Sequence, residues 1–451
     1  MNKFYCATAL CLIGLGFASC KSDDSKEPEK NNVSGKFFEE NFDGLGKGLS
    51  AWTLINDNNK VNDYYHGEYD NAWITKEFGL YNNNHDNKMA VSCSWYEPRA
   101  TADRWLISPK FKVEGDTPYL YWEECTPDPQ AHQTYKVVVS ESAGTDKAAF
   151  TDVIYQIPEG TNGEIVNTIK SAPLEKYKGK EIRVAFVNTA VENGFLVAID
   201  NIFQSPTKLS SIPYNMTQKL WGTTHSTISW EDYNNTANGN YELSIVKAGE
   251  MPGAPGAINM TSDVSDATIS GLQPGTRYHT YLRSKGMSHW SGPYPIQTAY
   301  NTPYIVDFEG NNLLYKGIFS EWKQVASTPI NTGSGLVIET KDGGDYYMKT
   351  YSAPIFIQKG HNIKISYDLY TEGKEGSISL SAGSYADGDR GITINEKEFA
   401  SEDIEVNKVI HVEIPMASVL TDVYRFWITY AAYPSSSFKI YIDNFKVEYD
   451  D

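Results

Sequence analysis

The chain has 451 residues, too many for one hydrophobic core, and its length predicts two to four domains. Its 39 Lys+Arg stand against 57 Asp+Glu, a net charge of −18. That balance argues against nucleic acid, whose phosphates it would repel, and against a polybasic membrane patch. The 31 Tyr and 10 Trp, with Thr, Val and Ile, recur in alternating runs broken by Gly, Asn, Asp and Pro. This is β composition, and no long stretch carries a helical period. The expected class is all-β.

At the start, Met1-Asn2-Lys3 is positive, residues 7–17 are apolar, and Ala18-Ser19-Cys20 ends the run with small residues. The run is too short to span a bilayer as a folded helix, so residues 1–19 read as a secretory signal. Phe17-Ala18-Ser19-Cys20 resembles the lipobox of bacterial lipoproteins, with Phe17 bulkier than the usual Leu. The resemblance implies lipidation of Cys20 as the new N-terminus. Lys21-Ser22-Asp23-Asp24 resembles the acidic export signal of Bacteroidetes lipoproteins, which implies a lipid-anchored position on the outer membrane, facing out. The alternative is an ordinary signal peptide cut nearby; either places the protein outside the cytoplasm. Residues 20–34 are charged and lack an apolar period, so they read as a disordered acidic tether. Later apolar windows are only strand-length, and no second membrane segment is expected.

Residues 35–204 form a run of β-segments closing on Ala198-Ile199-Asp200-Asn201-Ile202. Cys93 and Cys125 sit in two of these runs, either as a disulfide permitted outside the cytoplasm or as two buried thiols. The segment resembles the choice-of-anchor J or cleaved-adhesin family, a jelly roll related to MAM domains. Asn41-Phe42-Asp43, Ala51-Trp52-Thr53, Ala102-Asp103-Arg104-Trp105-Leu106-Ile107-Ser108-Pro109 and the closing Ile199-Asp200-Asn201-Ile202 carry the likeness. Arg104 stands where that family more often has Asn.

Residues 205–300 hold Thr227-Ile228-Ser229-Trp230, the alternating strand Tyr241-Glu242-Leu243-Ser244-Ile245-Val246, and Leu272-Gln273-Pro274-Gly275-Thr276-Arg277-Tyr278. Pro-Gly favours a tight turn, and Tyr278 sits where a tyrosine corner returns its hydroxyl to that turn. With Trp290-Ser291-Gly292-Pro293 at its end, this stretch resembles a fibronectin type III domain.

Residues 301–451 echo the first segment. Asp307-Phe308-Glu309 repeats Asn41-Phe42-Asp43, and Ser352-Ala353-Pro354 repeats the Ser108-Pro109 element. Ile363–Tyr367 aligns with Tyr119–Glu123, Val423–Ile428 with Ile182–Val187, and Tyr441-Ile442-Asp443-Asn444-Phe445 with Ala198–Ile202. Kept order argues for a duplicated domain. The expected architecture is three tandem β-sandwiches: jelly roll, fibronectin type III, jelly roll.

For chemistry, the sequence holds no GxSxG, HExxH or P-loop, and its eight histidines are scattered. Glu123-Glu124 are adjacent in a strand-like run and point to opposite faces, which does not suit a glycosidase pair. Jelly rolls of this type bind Ca²⁺ where first and last strands meet. The resemblance therefore implies Asp43 and Asp200 in the first copy, with Asp57 as an added ligand, and Glu309 and Asp443 in the second. These acids could equally cap turns, as the polar turn Asp387-Gly388-Asp389 is expected to do. Tyr64, Tyr65, Tyr69 and Trp73 crowd one region, and Trp95, Tyr96 and Arg99 another; exposed rings there would stack on sugars or anchor a protein. Trp52 and Trp105 read as core.

The resulting expectation is a non-enzymatic surface lipoprotein that binds an extracellular glycan or protein through its sandwiches. The alternatives are a glycoside hydrolase or its accessory subunit, and a structural or fimbria-associated surface component.

Overall fold

The computed structural model describes residues 37–61, 68–77, 87–126, 133–157, 161, 163–164, 166–190, 194–234, 240–309, 323–331, 333–339, 346–372, 377–384, 396–399, 405–416, 423–432 and 439–450. Cys20, the tether, Tyr64, Tyr65 and residues 387–389 lie outside this set. Among the described residues no helix is long and apolar enough to cross a membrane. The fold is all-β, and the chain forms three sandwiches in series.

The first sandwich packs two antiparallel sheets over one core. One sheet runs Thr168–Pro173, Tyr119–Cys125, Leu196–Ser205, Lys88–Cys93, Ile74–Glu77, with Glu39–Glu40 also on Leu196–Ser205. The other runs Thr53–Ile55, Arg104–Ile107, Glu181–Asn188, Tyr135–Ser140, Asp152–Gln156, with Phe111–Lys112 on Glu181–Asn188. Alternation along the strands sends Leu120, Trp122, Val137, Val139, Val184 and Phe186 into the space between them. Trp52 joins this core, and Trp105 packs in a cluster of its own with Phe150.

Cys93 and Cys125 are both buried thiols. They stand opposite Leu196 and Ala198 on strands that flank Leu196–Ser205. Two inter-strand spacings, about 9–10 Å, separate such strands, and a disulfide closes a Cα gap of at most about 7 Å. The buried-thiol alternative is the one the fold adopts.

The second sandwich has three strands against four. Pro213–Trp221, His225–Asp232 and Asp266–Ser270 face Ile258–Ser262, Tyr241–Lys247, Arg277–Ser284 and Ser291–Gln297. Trp230, Tyr241, Leu272 and Tyr278 share its core. The Gln273 backbone N–H donates to the Tyr278 hydroxyl at 2.9 Å, closing the corner over the Pro274-Gly275 turn. Gly275 holds φ +61 there, and a Cβ would meet the Tyr300 ring, so glycine is required.

The third sandwich repeats the order of the first. Lys323–Val325, Gly335–Glu339, Lys439–Tyr449, Ile363–Glu372 and Ile410–Met416 form one sheet, with Tyr304–Val306 on Lys439–Tyr449. Tyr346–Tyr351, Val423–Ala432, Ser377–Ser384 and Glu396–Phe399 form the other, with Ile355–Phe356 on Val423–Ala432. Small details recur too. The Ser108 hydroxyl accepts from Val184 N at 3.0 Å, and the Ser352 hydroxyl accepts from Phe426 N at 2.9 Å.

The ladder corrects two of the sequence alignments by one residue. Glu123 stands opposite Asp200, and Asp368, not Tyr367, stands opposite Asp443. Val184 likewise corresponds to Phe426. A one-residue slip moves every side chain to the other face, so this shift changes which acids can meet.

Candidate functional site

In each outer sandwich, the last strand carries a bulge at Asp-Asn. The pairing slips between Asp200 and Phe203 in the first and between Ser366 and Asp368 in the third. Asn201 and Asn444 take positive φ of 45 and 53, which Asn tolerates better than most residues. The bulge inverts the alternation: Val197 and Ile199 face the core before it and Ile202 after it; Ile440 and Ile442 before, Phe445 and Val447 after. The Asp-Asn pair is thereby turned off the core-facing row toward the chain entry, where Phe42 and Phe308 hold φ of 57 and 56. A left-handed Phe in both copies is a strained conformation of the kind kept at functional positions.

Around the first bulge, Asp43, Glu123 and Asp200 each accept from amide N–H donors. Asn87 donates to Asp200 Oδ2 at 3.0 Å, and Asn201 donates to Glu123 Oε1 at 3.0 Å. Asn167 reaches Glu123 Oε2 at 3.3 Å, and Lys88 N donates to Asp43 Oδ2 at 2.7 Å. Asn41 Oδ1 ties back Asp43 N and Leu45 N. Asn87, Glu123, Asp200 and Asn201 are at most 1 % exposed. Burial pushes the Glu123 carboxyl up to about 7, against hydrogen bonds from Asn201, Tyr294 and Asn167. Burial, then the nearby Glu123 and Asp43, drive Asp200 well above its ordinary range. Among the described residues, three buried oxygens, Asn87 Oδ1, Asp200 Oδ1 and Asn201 Oδ1, have no hydrogen-bond donor. Buried polar atoms are rarely left so.

The third sandwich repeats the set. Asn331 donates to Asp443 Oδ2, and Asn444 donates to Asp368 Oδ2 at 2.8 Å. Burial, with Asp368 and Glu309 nearby, raises Asp443. The Glu309 carboxylate lies against Gly333. Here Asn444 is exposed and Asp368 is half-buried, its other oxygen accepting from His411 at 2.6 Å.

Carboxylate and amide oxygens are the donor types a hard cation takes, and the orphaned acceptors belong to the first set. Among the described residues no three His, Cys, Asp or Glu side chains alone gather as a metal cluster. The amide oxygens and backbone would have to complete the shell.

Other expected site residues lie elsewhere. Asp57 stands apart from Asp43 and Asp200. It accepts from Tyr96 OH at 2.6 Å, Asp103 N at 3.1 Å and Arg104 Nε at 3.4 Å. Arg104, fully buried, spends its remaining donors on the carbonyls of Tyr69, Asn71 and Asn59. Asp57 is thus an ion-pair partner, which corrects its expected role as a calcium ligand. Tyr69, Trp73 and Tyr96 are also corrected: at 3 %, 0 % and 5 % exposure they cannot present a ring to a ligand. Trp73 donates to the Arg104 carbonyl, and Tyr96 lies under the Arg104 guanidinium. Trp95, at 38 % exposed, and Arg99 remain on the surface, with Trp95 braced edge-on against Phe195. Glu124, on the face opposite Glu123, accepts from Tyr135 and pairs with Lys170 at 3.2 Å.

Glu123, Asp368, Asn87, Asn331, Asn201 and Asn444 were not legible as site residues in the sequence. Asn201 and Asn444 sat inside a recognised marker; a rule that Asp-Asn in a closing strand marks a bulge would have found them.

Comparison with known proteins finds one family match, within the first sandwich. Residues 65–192 match the Cleaved Adhesin Domain family model. No curated protein matches the chain. Among solved structures, the K1 Cleaved Adhesin domain of Lys-gingipain from Porphyromonas gingivalis W83 is 18 % identical, with 39 % of this chain and 100 % of that chain covered, at a TM-score of 0.29. The FN5 domain of Drosophila Lar is 18 % identical over 19 % of this chain and 92 % of its own, at a TM-score of 0.16. A carbohydrate-binding module of the β-sandwich superfamily is 10 % identical over 53 % of this chain and 97 % of its own, at 0.27.

Proposed function

We propose that this protein is a lipid-anchored surface adhesin that captures an extracellular glycan or protein without catalysis. The cleaved-adhesin match over residues 65–192 carries the reading. The lipobox-like Cys20 and acidic Asp23-Asp24 support anchoring on the outer face of the outer membrane. The central sandwich, with its tyrosine corner, is read as a fibronectin type III spacer between two jelly rolls. Among the described residues, Trp95 and Arg99 are the candidates for ligand contact that stay on the surface.

Calcium is proposed at both bulges. Asp43, Glu123, Asp200, Asn87 and Asn201 would hold it in the first jelly roll, and Glu309, Asp368, Asp443, Asn331 and Asn444 in the third sandwich. A bound ion supplies charge neutralisation and fixes the entry loop against the closing strand. The protein's own part is to turn these oxygens inward through the bulge.

The test is glycan-array and protein-ligand screening of the full chain, with and without calcium. Palmitate labelling and protease treatment of whole cells test the anchor. The expected result is saturable binding, label on Cys20 and protease sensitivity. Absence of any ligand alongside polysaccharide hydrolysis would overturn the adhesin reading.

A further inference from the structure

Where the first sandwich hands over to the second, the chain forms a cavity of about 210 Å³. Phe37, just ahead of Glu39–Glu40, supplies one wall. Phe203, on the closing strand of the first sandwich, and Leu209, in the segment leading to the second, supply another. Met287 and His289, on the loop between Arg277–Ser284 and Ser291–Gln297, close it from the second sandwich. Small-molecule pockets form preferentially at such junctions between domains.

The walls are held in place. His289 and Phe203 are each 3 % exposed, and their rings stack with centroids 3.8 Å apart. Phe203 stacks in turn on Tyr121 at 5.3 Å, and Leu209 N donates to the Tyr121 hydroxyl at 2.7 Å. Walls already ordered cost a ligand less to bind.

One polar group in the wall is incomplete. His289 Nδ1 stands 3.4 Å from Glu39 Oε2, and the buried His289 Nε2 has no hydrogen-bond partner among the described residues. An ionised carboxylate only accepts, so Nδ1 carries the proton, and Nε2 of the neutral ring is an acceptor that lacks a donor.

Size and lining select the ligand. An apolar cavity of about 150 Å³ accepts benzene, so this one has room for a single substituted ring. Its aromatic and aliphatic walls suit a flat apolar ring. A saccharide would need partners for several hydroxyls, yet the Gln204 amide is already engaged, donating to the Glu114 carbonyl at 2.7 Å and accepting from Glu114 N at 3.3 Å. That leaves the small hydroxyls of Ser205, Thr207 and Ser288. Among the described lining residues there is no carboxylate, lysine or arginine to match a charged ligand.

We infer that the junction of the first two sandwiches is a binding site for a single aromatic ring bearing a hydroxyl, with the ring against Phe203 and Met287 and the hydroxyl serving the unpaired His289 nitrogen. Such a phenol arrives either as a free small molecule or as a tyrosine side chain of a partner protein. The site shares no residue with the two calcium sets or with Trp95 and Arg99.

The experiment uses the full chain, isotope-labelled at its methionine methyls, in calcium-free buffer. The probe is p-cresol, with toluene, which lacks the hydroxyl, beside it. The Met287 methyl resonance, assigned by its loss in Met287→Leu, reports binding. The expected result is a saturable shift of that resonance, with p-cresol bound about threefold to tenfold more tightly than toluene. Acetyl-tyrosine amide saturating the same shift assigns the ring to a partner's side chain; p-cresol alone doing so assigns it to a free small molecule. By saturation-transfer NMR, Met287→Trp, which fills the cavity, should abolish binding. His289→Phe, which keeps the stack on Phe203 but has no ring nitrogen, should bring p-cresol level with toluene. No Met287 shift at millimolar p-cresol overturns the site. Equal affinities for p-cresol and toluene in the unaltered chain overturn the phenol assignment, and that comparison needs no variant to fold.

Discussion

Glu123 and Asp200 face each other across neighbouring strands at a bulge, both buried, with amide and phenol donors on Glu123 and on Asp200 Oδ2 and, among the described residues, none on Asp200 Oδ1. Such a pair is unstable in the ionised state unless something positive joins it, and several expectations follow from that tension.

In chelator, stability should fall as pH rises. Burial lifts Glu123 from 4.5 to about 7, so the folded chain holds a proton that the unfolded chain has released. The unfolded state binds fewer protons through that window, so the pH slope of unfolding free energy is negative between those values and flat above. Urea melts across this range should show the decline, and Glu123→Gln should flatten it. A rise in stability over the same range would contradict the burial argument.

Calcium should reverse the loss. At a hundredfold excess over its Kd, a ligand that binds only the folded state contributes about 2.7 kcal/mol. The thermal midpoint should therefore rise with calcium and respond less in Asp200→Asn, and not at all in Asp200→Asn/Asp443→Asn. Differential scanning calorimetry reads this directly.

Arg104 and Asp57 should be structural. The guanidinium is fully buried, and Asp57 holds both oxygens against Tyr96, Asp103 N and Arg104. Although burial raises the Asp57 carboxyl, these donors and the Arg104 charge outweigh it and hold the group low. Removing one partner leaves a buried charge alone, so Arg104→Met should cost about 3–5 kcal/mol in denaturant unfolding. Calcium affinity of the folded fraction should be unchanged, which separates Asp57 from the cation set.

The two tryptophans on either side of the surface boundary should part company. Trp73→Ala removes a fully buried ring and should cost about 3–5 kcal/mol. Trp95→Ala should cost less than about 1 kcal/mol, as a partly exposed ring does, and should lower retention on whatever glycan or protein the array identifies.

Cys93 and Cys125 should resist thiol reagents until the chain unfolds. Burial pushes their thiols up to about 11 and about 12, so little thiolate exists at neutral pH. Labelling of either residue in the native chain would contradict the packing of strands that flank Leu196–Ser205.

Much of the architecture was readable because period-2 alternation and turn chemistry are local. Residues 227–230 and 272–278 marked the middle sandwich, and the Asn41-Phe42-Asp43 and Asp307-Phe308-Glu309 echo marked the outer pair. The aromatic surface was misread for a general reason. Tyr69, Trp73 and Tyr96 sit in polar, loop-like sequence, yet Arg104 draws them inward by using their carbonyls, ring faces and neighbours as its solvation shell. No one-dimensional pattern announces a buried guanidinium.

The amino-acid order by itself determined strands, turns, the duplication and the acids at each end of the outer copies, because those depend on neighbours a few residues apart. Only the tertiary structure decided which acids meet. One bulge and a single-residue shift brought Asp368 opposite Asp443, and Tyr294 of the second sandwich reaches the buried Glu123 while Asn444 of the third is exposed. Register and docking depend on contacts far apart in the chain, and the burial they impose sets the electrostatics of the site.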